Sequence, residues 1–572
     1  MERDRGISVL SKQACSIWAK SDYGEGEQWL PLVIHSVDAS CVMTRLWKSW
    51  LPQDTRSIIA SEFEGDEVAA FRVACFLAAC HDIGKATPSF QQSQGLFGSG
   101  LDEGYDLSWK PRKAGLPLRN GLQRGKLKHP IASELIVEEY LVERRSFTSG
   151  AAESWGAVVG SHHGKPPLDN AVSNARSRYD AEMGWDAQSE GAWRSVQFEI
   201  MDYLWITAGL DDAEDLGRFT VSAPAACLLC GLVILCDWIA SNVDLFELVP
   251  LVGPDDEGLL HEGVVSVPKL EARAERAWRL LELTPSWQPP AHVSGFDEWW
   301  FVERFGLPAG STARPVQSAA IEMARSVEKP GIMIIEAPMG EGKTEAALAA
   351  AEILATRFGF GGVCFALPTM ATTDAMFGRV RRWLDALPVD AGDNRRSIYL
   401  AHGKAQLNEE FQGIVRASRR QWRSSRMNTD DNGASCPESV IASDWLSGRK
   451  KGMLSNFTVC TVDQVLMGAL MMKHLPLRQL ALANKVVVVD ECHAYDVYMQ
   501  EYLKRILEWL GAWRVPVVLL SATLPRDIRR DLVSSYIKGI EALKGKREVD
   551  RISDDGAFDV LALLKAQTRK TE

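Results

Sequence analysis

The amino-terminal part of this 572-residue chain holds histidines and aspartates in spacings that suit metal chemistry. His81-Asp82 closes an apolar stretch as AACHDIGK, His162-His163 forms SHHGKPP, and Asp237 ends a long uncharged run as CDWIASN. His35 and His129 are the other histidines of the region. Neutral imidazoles and carboxylates at the ends of buried helices can converge into a cluster that binds two divalent ions. Such a pair activates a water and stabilises both oxygens of an in-line phosphodiester displacement. Lys85, one turn after Asp82, is placed to offset charge on a scissile phosphate. Imidazole-rich ligation favours Mn, Fe, Co or Ni over Mg²⁺.

A second constellation lies further along. GIMIIEAPMGEGKTEAALAA reads as a strand, a glycine-containing loop and a helix opening at Lys343. Backbone N–H groups around Gly340 and Gly342 can approach phosphates, and the helix N-terminus adds a positive dipole. Lys343 is placed to reach the β- and γ-phosphates of ATP, and the Thr344 hydroxyl to hold Mg²⁺. Ala337 stands where the strict phosphate-loop pattern has its first glycine. In KVVVVDECHAYD, Asp490 follows an apolar strand, where it can hold Mg²⁺ while Glu491 polarises the attacking water. VVLLSATLP adds Ser521 and Thr523, suited to link the ATP site to movement. Gln317, in RPVQ, offers an amide donor and acceptor to an adenine edge.

The elements that must position these residues change character along the chain. Up to about Pro250 the pattern is helical, as in EVAAFRVACFLAAC and CLLCGLVILCDWIA. The charged helix KLEARAERAWRLLEL then runs into TPSWQPPAHVSG, a linker by its prolines. Beyond it the apolar runs GIMIIEAP, GGVCFALP, NFTVCTV, KVVVVDE and VPVVLLSAT alternate with helices, the signature of a parallel sheet buried on both faces. Residues 416–451 read as an exposed insertion. The domains predicted are 1–250, a helical connector and linker 251–296, an ATPase domain 297–535, and 536–572 as the start of a connection.

Composition sets the remaining bounds. Lys and Arg number 64 against 75 Asp and Glu, a net charge of −11, which argues against coating nucleic acid through bulk charge but not against local basic channels. Seven basic residues and no acidic one fall between Leu107 and Lys128 (Lys110, Arg112, Lys113, Arg119, Arg124, Lys126, Lys128), with Trp109 as a stacking platform for single-stranded nucleic acid. A second basic cluster (Arg416, Arg419, Arg420, Arg423, Arg426) accompanies Trp422. The uncharged run Phe219–Cys236 is read as a buried core helix rather than a membrane span. The eleven cysteines lack paired disulfide spacing, and with no secretory signal the chain reads as soluble and cytoplasmic.

The residues of the second half resemble motifs Q, I, II and III of superfamily-2 helicases of the DExH type, with Pro368-Thr369 and Thr461-Asp463-Gln464 as strand-contacting motifs. The histidine and aspartate set resembles the HD phosphohydrolase superfamily. An HD domain followed by a DExH helicase resembles the helicase–nuclease family of type I CRISPR systems, over nearly the whole chain and including KHPIASE, LAHGKA and KHLPLR. The fold implied is an all-α HD-type metal phosphohydrolase domain followed by an α/β RecA-like helicase domain. The resemblance implies one metal on His35, His81, Asp82 and Asp237, and a second on His129, His162 and His163 with Asp82 as bridge. It implies an antiviral effector that nicks and degrades single-stranded DNA, with a 3′-to-5′ ATP-dependent helicase. A crRNA-guided surveillance complex (Cascade) would recruit it to an R-loop. Only 49 residues follow Thr523, so the second RecA-like domain is expected to be absent, or supplied by a separate chain, and full motor activity is not expected. Two other readings stay open: an HD phosphohydrolase acting on small nucleotides with a regulatory ATPase domain, and a non-translocating remnant that binds DNA or the complex.

Overall fold

The computed structural model describes residues 9–21, 28–92, 107–118, 122, 127–211, 213, 215–251, 258–288, 298–308, 310–388, 395–427, 440–442, 445–446, 451–544 and 557–559. Within them the chain forms two compact units, residues 1–48 with 57–281 and residues 49–56 with 282–572. The helix expected as a connector therefore belongs to the first unit.

The first unit is helical. Its site is carried by α1 (Leu32–Arg45), α2 (Glu67–Cys80), α3 (His129–Arg145), α4 (Ser149–Gly160) and α5 (Ala223–Ala240), with α6 (Val267–Leu281) packed on α1. Asp66 starts α2 by accepting from the backbone N–H groups of Val68 and Ala69 at 2.8 and 3.0 Å, which satisfies donors the helix cannot. From Val73 to Cys80 α2 is apolar all round and buried, as a helix enclosed on every side requires. The same holds for α5: it is long and apolar enough to cross a membrane, yet 67% of it is buried inside the unit, as a core helix would be.

The helical expectation for this region misses a small antiparallel sheet of β1 (Trp18–Ser21), β2 (Gln28–Pro31) and β3 (Val249–Pro250). Its third strand comes from more than two hundred residues away, so no local pattern announces it.

The second unit is a parallel sheet flanked by helices. Its strands are β4 (Ile332–Glu336), β5 (Val363–Leu367), β6 (Arg396–Ala401), β7 (Val440–Ile441), β8 (Phe457–Thr461), β9 (Val486–Val489), β10 (Val517–Ser521) and β11 (Ala557–Asp559). They lie in the order β11-β4-β10-β9-β5-β8-β6-β7, with every described pairing parallel. The five apolar runs read as strands are β4, β5, β8, β9 and β10. Part of the supposed insertion is regular: a helix spans Glu409–Met427 and β7 extends the sheet. Residues 557–559, expected within a connection, pair with β4.

Register decides where the chemistry falls. Ser521 is opposite Glu336 on the β4–β10 pair, and Val489 is opposite Leu519 on the β9–β10 pair. The loops leaving β4, β9 and β10 therefore emerge side by side at the carboxyl edge, where open α/β sheets bind ligands.

Candidate metal centre and nucleotide site

In the first unit, α1 supplies His35, the end of α2 supplies His81 and Asp82, α3 opens with His129, the turn after α4 carries His162 and His163, and α5 supplies Asp237. Glycine makes the convergence possible. A Cβ on Gly84 would lie 2.0 Å from the His129 carbonyl oxygen, and one on Gly160 would lie 2.1 Å from Glu134 Oε2. With larger residues the Asp82 turn and α4 could not approach α3 this closely.

The ligand atoms form two groups: His35, His81, Asp82 and Asp237, and His129, His162 and His163. Asp82 lies between them. Its Oδ2 is 3.1 Å from His35 Nε2 and 3.3 Å from His81 Nε2, while its Oδ1 is 3.4 Å from His129 Nε2 and 3.7 Å from His162 Nε2. His81 Nε2 also lies 3.6 Å from Asp237 Oδ1. Lys85 Nζ approaches Asp82 Oδ2 to 2.7 Å and donates to the Ala19 carbonyl.

The residues present fit divalent cations. His81 and His162 each donate from Nδ1 to a backbone carbonyl, of Ala78 at 2.8 Å and Val159 at 2.7 Å. Those bonds turn the Nε2 atoms inward, and the Nε2 atoms of His35, His81 and His162 are buried, facing carboxylate oxygens without a well-aligned hydrogen bond. A buried nitrogen left so is costly unless something binds it. Burial holds His35 at about 3 and His162 at about 4, and also lowers His129 and His163, so these four imidazoles are neutral and able to ligate. For His81 burial acts the same way, but Asp82 and Asp237 outweigh it and raise the ring to about 10. Burial acts to raise Asp82, but Lys85 and His81 outweigh it and hold the carboxyl well below the usual range. The ten described cysteines are all free, and Cys227 and Cys230 belong to no metal-binding group among the described residues.

In the second unit, helix α8 (Lys343–Phe358) opens directly from the glycine loop. Gly340 and Gly342 have φ of +83° and +79°, which glycine adopts at no steric cost. Ala337 is not among the positive-φ residues, so its place needs no glycine and the departure from the strict pattern has no backbone penalty. Lys343 is buried, donates to the Ala337 carbonyl at 2.9 Å and lies 4.0 Å from Glu491 Oε1. Thr344 is the second residue of α8.

Asp490 and Glu491 follow β9. Burial and then the Glu491 charge push the Asp490 carboxyl up to about 6, and Glu491 has a left-handed backbone at φ +50°, strain of the kind found at functional sites. A polar chain joins this strand end to the next. Glu491 Oε2 is 3.3 Å from His493 Nδ1, which is 3.0 Å from Ser521 Oγ, and Ser521 donates to the Thr523 carbonyl.

Gln317 is buried on α7 (Pro315–Ser326). Its Oε1 accepts from the Arg314 N–H and its Nε2 donates to the Gly342 carbonyl, so the amide braces the phosphate loop from within. Gln464, of the strand-contacting motifs, lines a cavity of about 520 Å³ with His402, Lys473, His474 and Arg478. Thr369 caps its helix by accepting from Thr372 N–H.

Of the basic loop, Trp109 is exposed and Lys110 Nζ lies 3.6 Å over the Trp29 ring. Arg119, Arg124 and Lys126 lie outside the described residues, as do the side chains of Arg419, Arg420, Trp422, Arg423 and Arg426.

A mainly helical unit with a candidate His/Asp metal centre, followed by a parallel sheet with a phosphate loop, defines an HD phosphohydrolase domain joined to a RecA-like domain. Residues 18–246 match the family model described as Cas3, HD domain. The chain is 35% identical over 534 residues to the CRISPR-associated nuclease/helicase Cas3 of Streptococcus thermophilus, covering 91% of this chain and 53% of that protein. With the CRISPR-associated endonuclease/helicase Cas3 of Escherichia coli it is 29% identical over 92% of this chain and 56% of that one. The crystal structure of T. fusca Cas3 superposes with a TM-score of 0.71 at 31% identity, over 96% of this chain and 55% of that chain. A chain in a structure titled CRISPR RNA-guided surveillance complex, pre-nicking, superposes with a TM-score of 0.60 at 27% identity, over 96% of this chain and 51% of that one. Residues 18–246 thus form a Cas3 HD domain and the chain is similar to Cas3 proteins over nearly all of its length, while it spans about half the length of the relatives it matches.

Proposed function

We propose that the first unit is a nuclease for single-stranded DNA and that the second is the nucleotide-binding part of an ATP-dependent 3′-to-5′ helicase. The two work in the cytoplasm in CRISPR type I antiviral defence. The observation that carries the nuclease reading is the division of Asp82, whose two carboxylate oxygens face different histidine groups. His35, His81, Asp82 and Asp237 would hold one divalent ion, and Asp82, His129, His162 and His163 a second. Bound there, two such ions supply an activated water and neutralise charge on the phosphate. The histidine-rich donor set favours Mn, Fe, Co or Ni.

In this reading the chain's own groups orient the substrate. Lys85 leaves Asp82 to take charge on the scissile phosphate, and the Ala78 and Val159 carbonyls keep the imidazoles turned inward. At the second site, Gly340, Gly342, Lys343 and Thr344 hold the phosphates and Mg²⁺ of ATP. Asp490 shares the Mg²⁺, Glu491 orients water, and Gln317 holds the loop. The resemblance to a chain of the surveillance-complex structure supports recruitment by a crRNA-guided complex.

The test is cleavage of a labelled DNA single strand with Mn²⁺ or Ni²⁺, beside phosphate release from mononucleotides. His81→Ala and Asp82→Ala should each abolish strand cleavage. Cleavage surviving both would overturn the site, and turnover of mononucleotides alone would favour a small-nucleotide phosphohydrolase.

A further inference from the structure

A cleft of about 760 Å³ opens beside His129 and His163, and Trp18, Ala19, Lys20 and Ser21 of β1 all line it. Four consecutive residues on one wall is not what a regular strand provides, because successive side chains point to opposite faces. β1 is not regular. Trp18 is opposite Pro31 and Lys20 opposite Leu30, so β1 advances two residues where β2 advances one. Trp18 and Lys20, two residues apart, share one face of the strand, and a bulge of this kind, which re-aims the chain locally, accounts for Ala19 and Ser21 lining the same wall.

The two lysines on the lining differ. Lys85 is tied to Asp82 and to the Ala19 carbonyl. Lys20 forms no ion pair with any described carboxylate, although it is largely withdrawn from solvent. Across the lining, Phe90 packs on Trp18 with ring centroids 4.9 Å apart, and Val243 and Leu248 extend the apolar wall. Glu247, exposed, is the one carboxylate among the lining residues. A cation without a close ion pair among the described residues, within the field of Asp237, Asp82 and Asp38 and beside an apolar wall next to the candidate metal centre, fits one nucleotide of a strand: phosphate on the cation, base on the wall.

We propose that Lys20 holds the phosphate next to the scissile one in a DNA single strand, with the base of that nucleotide against Phe90, Val243 and Leu248. Lys20 is then a positioning residue that sets where the strand meets the metal centre. This rests on the nuclease reading above.

The experiment compares the full chain with Lys20→Met and Lys20→Arg on a DNA single strand and on bis(p-nitrophenyl) phosphate, a diester with no neighbouring phosphate. Both assays use Mn²⁺. Lys20→Met should raise the KM for DNA about tenfold more than the KM for the small diester. It should also flatten the plot of log affinity for DNA against log salt by about 0.7, the loss of one single-strand phosphate contact. Lys20→Arg should restore both. An unchanged KM and salt slope in Lys20→Met would overturn the inference, as would equal losses on both substrates with reduced Mn²⁺ occupancy. If the unaltered chain cleaves no DNA, the nuclease reading falls instead. The salt slope of strand binding, read by fluorescence anisotropy, then still decides the role of Lys20.

Discussion

Lys85 Nζ lies 2.7 Å from Asp82 Oδ2, the oxygen that His35 and His81 also face. The ammonium thus stands where a cation bound to that oxygen would compete with it. Lys85→Met should leave Mn²⁺ affinity equal or higher, because a competing positive charge is gone. Strand cleavage should slow by roughly 100-fold or more, in the range for one lost charge-stabilising group. Calorimetric Mn²⁺ titration beside a cleavage assay separates the two effects, and weaker Mn²⁺ binding would show that Lys85 supports the ligand instead.

Gly84 makes a different prediction. Because a Cβ there would meet the His129 carbonyl oxygen at 2.0 Å, Gly84→Ala must push the Asp82 turn away from α3. Overpacking of this kind costs about 1–3 kcal/mol, and the displacement falls on His129 and hence on the His129, His162 and His163 group. The expected result is a lower melting temperature and a loss of bound metal from that group. Two metals per chain at unchanged affinity would refute it.

Arg273 on α6 and Asp38 on α1 are both buried, with Nε 3.4 Å from Oδ2. Asp38 is three residues beyond His35, so the pair anchors the helix that presents this ligand. Removing one partner of a buried pair strands the other charge and costs about 3–5 kcal/mol. Arg273→Met should therefore destabilise the first unit by about that much. Adding Asp38→Leu should recover a large part of it, and chemical denaturation of the single and double variants measures both.

The candidate site pairs stand out in the sequence because their signal is local. His81-Asp82 and His162-His163 are adjacent in sequence, and each follows a helix whose apolar composition implies burial. The same is true of Asp490-Glu491 after VVVV. What escaped depends on partners distant in sequence. Lys20 shares a strand face with Trp18, but that this face borders the metal centre depends on how β1 pairs with β2 and packs, and nothing in WAKS signals it. The strand RSIYLA was obscured by Arg396, a buried arginine whose guanidinium donates to the Leu384 carbonyl at 2.8 Å and so behaves as an interior residue. Gln317 was recognised as important, but its bonds to Arg314 and Gly342 depend on how α7 packs against the phosphate loop.

Lys485 links burial to a pH dependence that can be measured. It precedes β9, is 2% exposed, and donates to the carbonyls of Met453 and Ala481 at 2.8 and 2.6 Å. Burial pulls its ammonium down to about 8 from 10.5. The folded chain then holds fewer protons than the unfolded chain between those values, so folding stability rises with pH across that window. This contribution is fully present above about pH 10.5 and is lost as pH falls through about 8. Lys485→Met removes the titrating group, so its stability profile should lack that rise. The stability of the unaltered chain minus that of the variant should grow by up to about 3 kcal/mol from pH 7 to 10.5. Denaturant unfolding at several pH values provides the measurement, and a difference that stays flat would mean that Met453 and Ala481 keep the ammonium charged at its ordinary pKa despite burial.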